Sequence, residues 1–165
     1  MKFSLATPED TKKVLANATK VKAHLTTGIV EILDKHQDLL GQVSINLLEV
    51  ESNDDNKSEK FKFILQDGVV IVSTKGFKSP SGPVQIDETG VYVYAKRIIE
   101  VNTAISIEEL TKKVEQKSNK LDTEKQLLAE AAGSTVAKIK ARILYLEDEL
   151  KFEKKVLQFI KESRS

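Results

Sequence analysis

A histidine among carboxylates is the first arrangement that could do chemistry. His36 stands in Asp34-Lys35-His36-Gln37-Asp38, and an imidazole that titrates near neutral pH beside acidic groups suits a general base or a metal ligand. No nucleophile is adjacent and the flanking runs are apolar, so the segment reads as a turn between strands. Asp54, Asp55 and Asn56 gather three oxygen-bearing side chains, but the alternating spacing and closing glutamate of a calcium loop are missing. A solvated hairpin tip is expected there. Cysteine is absent, which excludes thiolate chemistry and a disulfide framework. With only two histidines, a structural zinc would depend on carboxylates. The glycines follow neither G-x-x-x-x-G-K-S/T nor G-x-G-x-x-G, so no phosphate cradle is expected. The sequence therefore predicts a non-catalytic chain with no cofactor and no metal.

Charge is balanced, with 26 basic against 25 acidic side chains, and the balance holds within each part: 13 against 14 before Ser106, 13 against 11 from there on. No overall field draws in nucleic acid. No window approaches the ~20 apolar residues of a membrane span, and residues 1–5 lack an apolar run of signal-peptide length. The expectation is a protein on the cytoplasmic side, without direct membrane insertion.

The elements that would position any site fall into two kinds. From residue 1 to about 103, short alternating or β-branched runs separated by turn formers predict an antiparallel β-sandwich of eight or nine strands. These runs are residues 2–6, 20–26, 29–33, 42–50, 61–65, 69–72, 91–94 and 98–101, with Gln66-Asp67-Gly68 as a tight turn. Residues 74–90, which hold three of the seven glycines and two of the three prolines, read as an extended excursion with a short extra strand.

From 104 to 165 the period changes. Val136, Ile139, Ile143, Leu146, Leu150, Leu157 and Ile160 recur at steps of three and four with one full heptad, an amphipathic helix with a coiled-coil seam. Ile107, Leu110, Val114, Leu121, Leu128 and Ala131 supply a partner helix. Gly133, free to take positive φ, ends it, and Ser134 is placed to cap the next. The fold class is thus α+β: an N-terminal antiparallel β-sandwich (1–103), then a C-terminal antiparallel two-helix hairpin (104–165). No long linker separates them, so the hairpin is expected to pack against the sandwich. Lys117 and Glu124 occupy seam positions, which predicts a hairpin able to open or repack.

In order along the chain, several pieces resemble the epsilon subunit of F-type ATP synthases, called delta in mitochondria. Gly28-Ile29-Val30-Glu31-Ile32-Leu33-Asp34-Lys35-His36-Gln37-Asp38-Leu39-Leu40 stands where that family carries a glycine and then Gly-Ile-Leu-Pro-Gly-His-Ala-Pro-Leu-Leu. Leu5-Ala6-Thr7-Pro8-Glu9 is similar to its Val-Thr-Pro-Glu, Gln66-Asp67-Gly68-Val69-Val70-Ile71-Val72 to its Gly-Gly-Phe-Val-Glu-Val, and residues 91–95 to its Val-Thr-Val-Leu-Ala-Asp.

The resemblance implies a ten-stranded sandwich and helical pair on the central stalk of a rotary ATPase. It would bind the gamma subunit, touch the c-subunit ring and reach the alpha/beta catalytic head through helices that restrain ATP hydrolysis. By position, Gly28, Ile29, Glu31, His36 and Asp38, with Ile143, Leu150 and Leu157 of the last helix, would be partner contacts. The departures are Glu31 to Lys35 in place of Gly-Ile-Leu-Pro-Gly, and Asp38 in place of the proline. In addition, Ile107-Glu108-Glu109-Leu110-Thr111-Lys112 lacks the arginine of the Ile/Leu-Asp-x-x-Arg-Ala motif with which bacterial members bind ATP, a bidentate donor that lysine does not replace. Two further readings stay open: a stalk subunit of a repurposed F-type-like motor without a proton ring, and an unrelated β-sandwich/coiled-coil adapter.

Overall fold

The computed structural model describes residues 1–74 and 90–165. It resolves into two compact units, Met1–Val101 and Asn102–Ser165. The excursion expected over 74–90, with its extra strand, lies at 75–89 outside the described residues.

The first unit is a β-sandwich built from seven described strands: β1 (Lys2–Ala6), β2 (Thr11–Leu15), β3 (Ala18–Leu25), β4 (Gly28–Leu33), β5 (Leu39–Ser52), β6 (Glu59–Ser73) and β7 (Gly90–Glu100). They hydrogen-bond in the order β2-β1-β7-β6-β5-β3-β4. All neighbours are antiparallel except β1 and β7, which pair parallel from Lys2↔Gly90 to Ala6↔Tyr94, so the sheet is mixed where an all-antiparallel one was expected. Inward side chains from both halves of the ladder share one core, with Phe3, Leu5, Val21, Ile32, Leu48 and Leu65 at most 1% exposed. The Met1 amine donates to the Ala18 carbonyl at 3.1 Å and the Ala18 N–H to the Met1 carbonyl at 2.8 Å, joining the start of β1 to the start of β3. Truncating one such buried leucine to alanine costs about 2–5 kcal/mol.

The largest departure from the sequence reading is at Gln66-Asp67-Gly68. No turn forms; β6 runs straight through. Its register with β5 is the same on either side of Asp67, from Leu39↔Val72 to Ser52↔Glu59, as is its register with β7. Asp67 adopts φ 50°, which an aspartate tolerates better than most residues. Ladder bonds from two neighbouring strands outweigh a local turn signal. β7 likewise continues through 95–97, so four expected strands become two, and the described strands number seven, not the eight or nine of the pattern or the ten of the resemblance.

β2 was not foreseen. Only Leu15 in it is buried, and Lys12 and Lys13 sit on an edge strand, where lysine discourages pairing with other chains. Gln66, 2% exposed, has its amide oxygen held by the Arg97 guanidinium at 2.5 Å across the β6–β7 pair.

The tip is solvated as expected, with Asn53, Asp55 and Asn56 exposed, and it also carries a clasp. Asp54, in a short 3-10 turn (Asp54–Asn56), accepts from the Ala16 N–H at 3.2 Å and the Asn17 N–H at 2.7 Å. The Asn17 carbonyl in turn accepts from the Asn53 N–H at 3.0 Å and the Ser52 hydroxyl at 3.3 Å. This carboxylate therefore fixes the β2–β3 turn against the β5–β6 turn.

The second unit is an antiparallel pair, α1 (Ile107–Glu130) and α2 (Thr135–Ser163). Ser106 caps α1 by accepting from the Glu109 N–H at 3.3 Å, and Glu108 and Glu109 complement the positive end of the helix dipole. Gly133 takes φ +67° in the connection, as expected of the residue there. Ser134 makes no side-chain cap; the Thr135 hydroxyl donates to the Ala132 carbonyl at 2.7 Å instead. Among the described residues no helix is long and apolar enough to cross a membrane.

Replacing Asp54 with alanine leaves two backbone donors without their charged acceptor. Denaturant unfolding of the full chain is expected to show a loss of about 1–2 kcal/mol, against less than about 0.5 kcal/mol for Asp55→Asn.

Candidate interaction surface

β4 lies at one end of the ladder, and its alternation sets what it presents. Ile32 is fully buried and Val30 half-buried, while Ile29, Glu31 and Leu33 face outward, Ile29 at 62% and Leu33 at 53% exposure. Leu40, at the start of β5, is 73% exposed. Isolated exposed leucines are ordinary; Ile29 and Leu33 on the same side of β4, flanking a charged residue, are the kind of surface that contacts a partner. Glu31 faces Lys20 of the neighbouring strand at 3.4 Å. Gly28 opens β4 at φ +136°, a conformation that disfavours any side chain.

The turn after β4 is held by backbone and side-chain contacts of its own. Lys35 takes φ 64°, the His36 N–H donates to the Leu33 carbonyl at 3.1 Å, and the His36 Nδ1 pairs with the Gln37 carbonyl at 2.7 Å. Among the described residues no group of three or more His, Asp or Glu is placed to hold a metal. Asp38 has a structural partner: its Oδ1 accepts from the Thr74 N–H at 2.7 Å and the Thr74 hydroxyl at 2.9 Å, tying the approach to β5 to the end of β6. Leu33 and Leu40 were missed by the sequence reading, although Leu40 was within sight in the Asp38-Leu39-Leu40 run: only the strand phase decides that Leu39 turns in and Leu40 out.

On the hairpin, Ile143 and Leu150 are 8% and 6% exposed in the seam, together with Leu121, Ile139 and Leu146. Neither is available to a partner in this arrangement. Leu157 is half-buried, and beyond Leu150 burial passes to Phe152, Val156 and Ile160, the first two not foreseen. Glu153 occupies the seam position where the heptad would have continued. The large apolar residues exposed on the hairpin are Leu127, Leu144 and Tyr145.

The two polar seam residues of α1 are matched from α2. The Lys117 ammonium contacts the carboxylates of Glu149 and Glu153, and Glu124 receives Nε and a terminal nitrogen of Arg142, each at 3.1 Å. Burial pushes the Lys117 pKa down, but its hydrogen bonds to Glu149 and Glu153 and their charges more than offset this, so it stands above the ordinary lysine value. Lys117, Glu149, Glu124 and Arg142 flank a groove of about 430 Å³ that also takes in Lys120, Ala141, Tyr145 and Leu146. Thr111, where the resemblance would put an arginine, donates its hydroxyl to the Ile107 carbonyl at 2.8 Å within its own helix.

No sequence-family model matches the chain, and no curated protein matches it. Solved structures do. One is a chain of the Euglena gracilis mitochondrial ATP synthase OSCP/F1/c-ring structure, 16% identical, with a TM-score of 0.50 over 94% of this chain and 79% of that one. Another belongs to the Tetrahymena thermophila mitochondrial ATP synthase central stalk/c-ring structure, 14% identical, with a TM-score of 0.46 over 67% and 69% of the two chains. At 16% identity the first likeness establishes a shared fold.

Because the folded-state pKa of Lys117 is raised, its contribution to hairpin stability is complete below the ordinary lysine value and is lost as pH rises through the folded one. Thermal unfolding followed by circular dichroism between about pH 9 and pH 12 is expected to fall more steeply in the wild-type chain than in Lys117→Met.

Proposed function

We propose that the chain is a non-catalytic, epsilon-type central-stalk subunit of an F-type rotary ATPase, which couples rotation and restrains ATP hydrolysis through its C-terminal helices. The observation that carries this reading is the order of parts, a β-sandwich followed by an antiparallel helical pair, matched over 94% of the chain by a chain of the Euglena complex. The motifs in residues 5–9, 28–40, 66–72 and 91–95 support it by falling in the family's order along the same fold. The gamma subunit is the principal partner. The exposed Ile29 and Leu33 on either side of Glu31, and the exposed Leu40, suit contact with the c ring, and the hairpin suits contact with the alpha/beta head. A stalk component works through broad contact surfaces on a rigid body, not through a pocket. The subunit would be peripheral on the cytoplasmic side, held at the membrane by its complex.

Affinity purification of the tagged chain in mild detergent is expected to recover alpha, beta, gamma and c subunits. Alpha- and beta-like subunits without a c ring would remove the ring contact and favour a repurposed motor, and recovery of neither set would overturn the stalk reading. In the assembled complex, truncation after Ser106 is expected to raise ATPase activity several-fold, and unchanged activity would leave the helices without an inhibitory role.

A further inference from the structure

The strand ladder ends in two unlike edges. At β2, Lys12 and Lys13 stand on a five-residue strand whose register with β1 shifts between Leu5 and Ala6, and both features deter another chain from pairing there. β4 has neither. Its register with β3 is unbroken from Leu25↔Gly28 to Lys20↔Leu33, and Gly28-Ile29-Val30-Glu31-Ile32-Leu33 contains no lysine and no proline. No strand lies on its other side among the described residues. Alternate backbone N–H and C=O groups of such a strand point away from its one neighbour, toward any chain that comes alongside.

Charges on the outward face of this end of the sheet run in a row across four strands. Glu31 stands opposite Lys22, Lys22 opposite Glu49, and Glu49 opposite Lys62. Glu49 has a cation on each side, Lys22 at 3.9 Å and Lys62 at 3.4 Å. Glu31 ends the row: its cations, Lys22 directly opposite and Lys20 on the diagonal at 3.4 Å, both belong to β3. Ile29 and Leu33 flank it on the same face, 62% and 53% exposed.

We propose that β4 accepts an extended segment of a partner protein as an added strand, with a lysine or arginine opposite Glu31 and aliphatic residues opposite Ile29 and Leu33. Main-chain hydrogen bonds would attach the segment, and its alternate side chains would select it. The added cation continues the alternation of the row and gives Glu31 the two-sided arrangement that Glu49 already has; opposite charges directly across a strand pair attract. A second copy of this chain does not meet the requirement, because its β4 carries no cation and leaves Glu31 without one in any register. The inference rests on strand order and on the outward charges, not on the stalk reading, and Ile29 and Leu33 stay on the outward face when a strand is added.

The test uses the full chain and an end-blocked synthetic peptide, Ser-Val-Thr-Lys-Thr-Val-Ser, whose lysine meets Glu31 and whose valines meet Leu33 and Ile29 in antiparallel register. With the peptide bound, amide hydrogen exchange over 28–33 is expected to slow about fivefold or more, with 11–15 unchanged. Two N-methylated forms of the peptide separate an added strand from a ligand held by side chains alone. Methyl groups on alternate residues face β4 in one form and away from it in the other, so anisotropy titration is expected to show about a tenfold loss for one form only. Glu31→Lys is expected to weaken the lysine peptide about tenfold and to bind instead the peptide with glutamate at that place. Unchanged exchange at 28–33 would overturn the proposal, as would loss of binding in both methylated forms or in neither. Equal binding of the lysine and glutamate peptides to the wild-type chain would remove the charge match and overturn it too. A dimer of the chain that the peptide dissociates would give the edge to a second copy, with the same result.

Discussion

The β5–β6 ladder is the constraint on which the sandwich depends. Strands of 14 and 15 residues pair without a register shift from Leu39↔Val72 to Ser52↔Glu59. β3 and β4 attach to one side of this pair, and β7, β1 and β2 to the other. A slip of one residue would send Leu48, Val50, Phe63 and Leu65 to the wrong face, and both halves of the sheet would lose their common core. The ladder explains the conformation of Asp67: holding register across the whole length is worth more than the local turn that Asp-Gly would otherwise form. It also explains why Arg97 meets Gln66, since β7 takes its phase from β6.

Where the strands end, carboxylates do structural work. Asp54 joins two turns that are far apart in sequence, and Asp38 binds Thr74 at the end of β6. Both lie in clusters that first suggest ligand or partner chemistry. In each case the acceptor capacity of the charged group is directed at backbone N–H donors at turns, which have no ladder partner of their own. Strand phase leaves Ile29 and Leu33 exposed on either side of Glu31 in β4, and Leu40 exposed at the start of β5.

The hairpin follows different physics. Its apolar half is a short leucine and isoleucine seam; its other half is held by charge, with Lys117 drawn between two carboxylates strongly enough that its pKa rises despite burial.

By itself the sequence determined the two-part architecture, because period 2 and period 3.5 are local signals that survive without tertiary context. It also determined the seam residues from Ile139 to Leu150, the positive-φ glycine at 133, and the polar interruption at Lys117 and Glu124. Only the tertiary structure decided what those interruptions do, since Glu149, Glu153 and Arg142 lie far from their partners along the chain. It likewise decided that β6 and β7 are continuous, that β1 runs parallel to β7, that β2 exists as an edge, and that Asp38 and Asp54 are clasps. These are consequences of non-local hydrogen bonding, in which a strand's extent is set by its neighbours and a carboxylate's role by which N–H groups the fold carries to it.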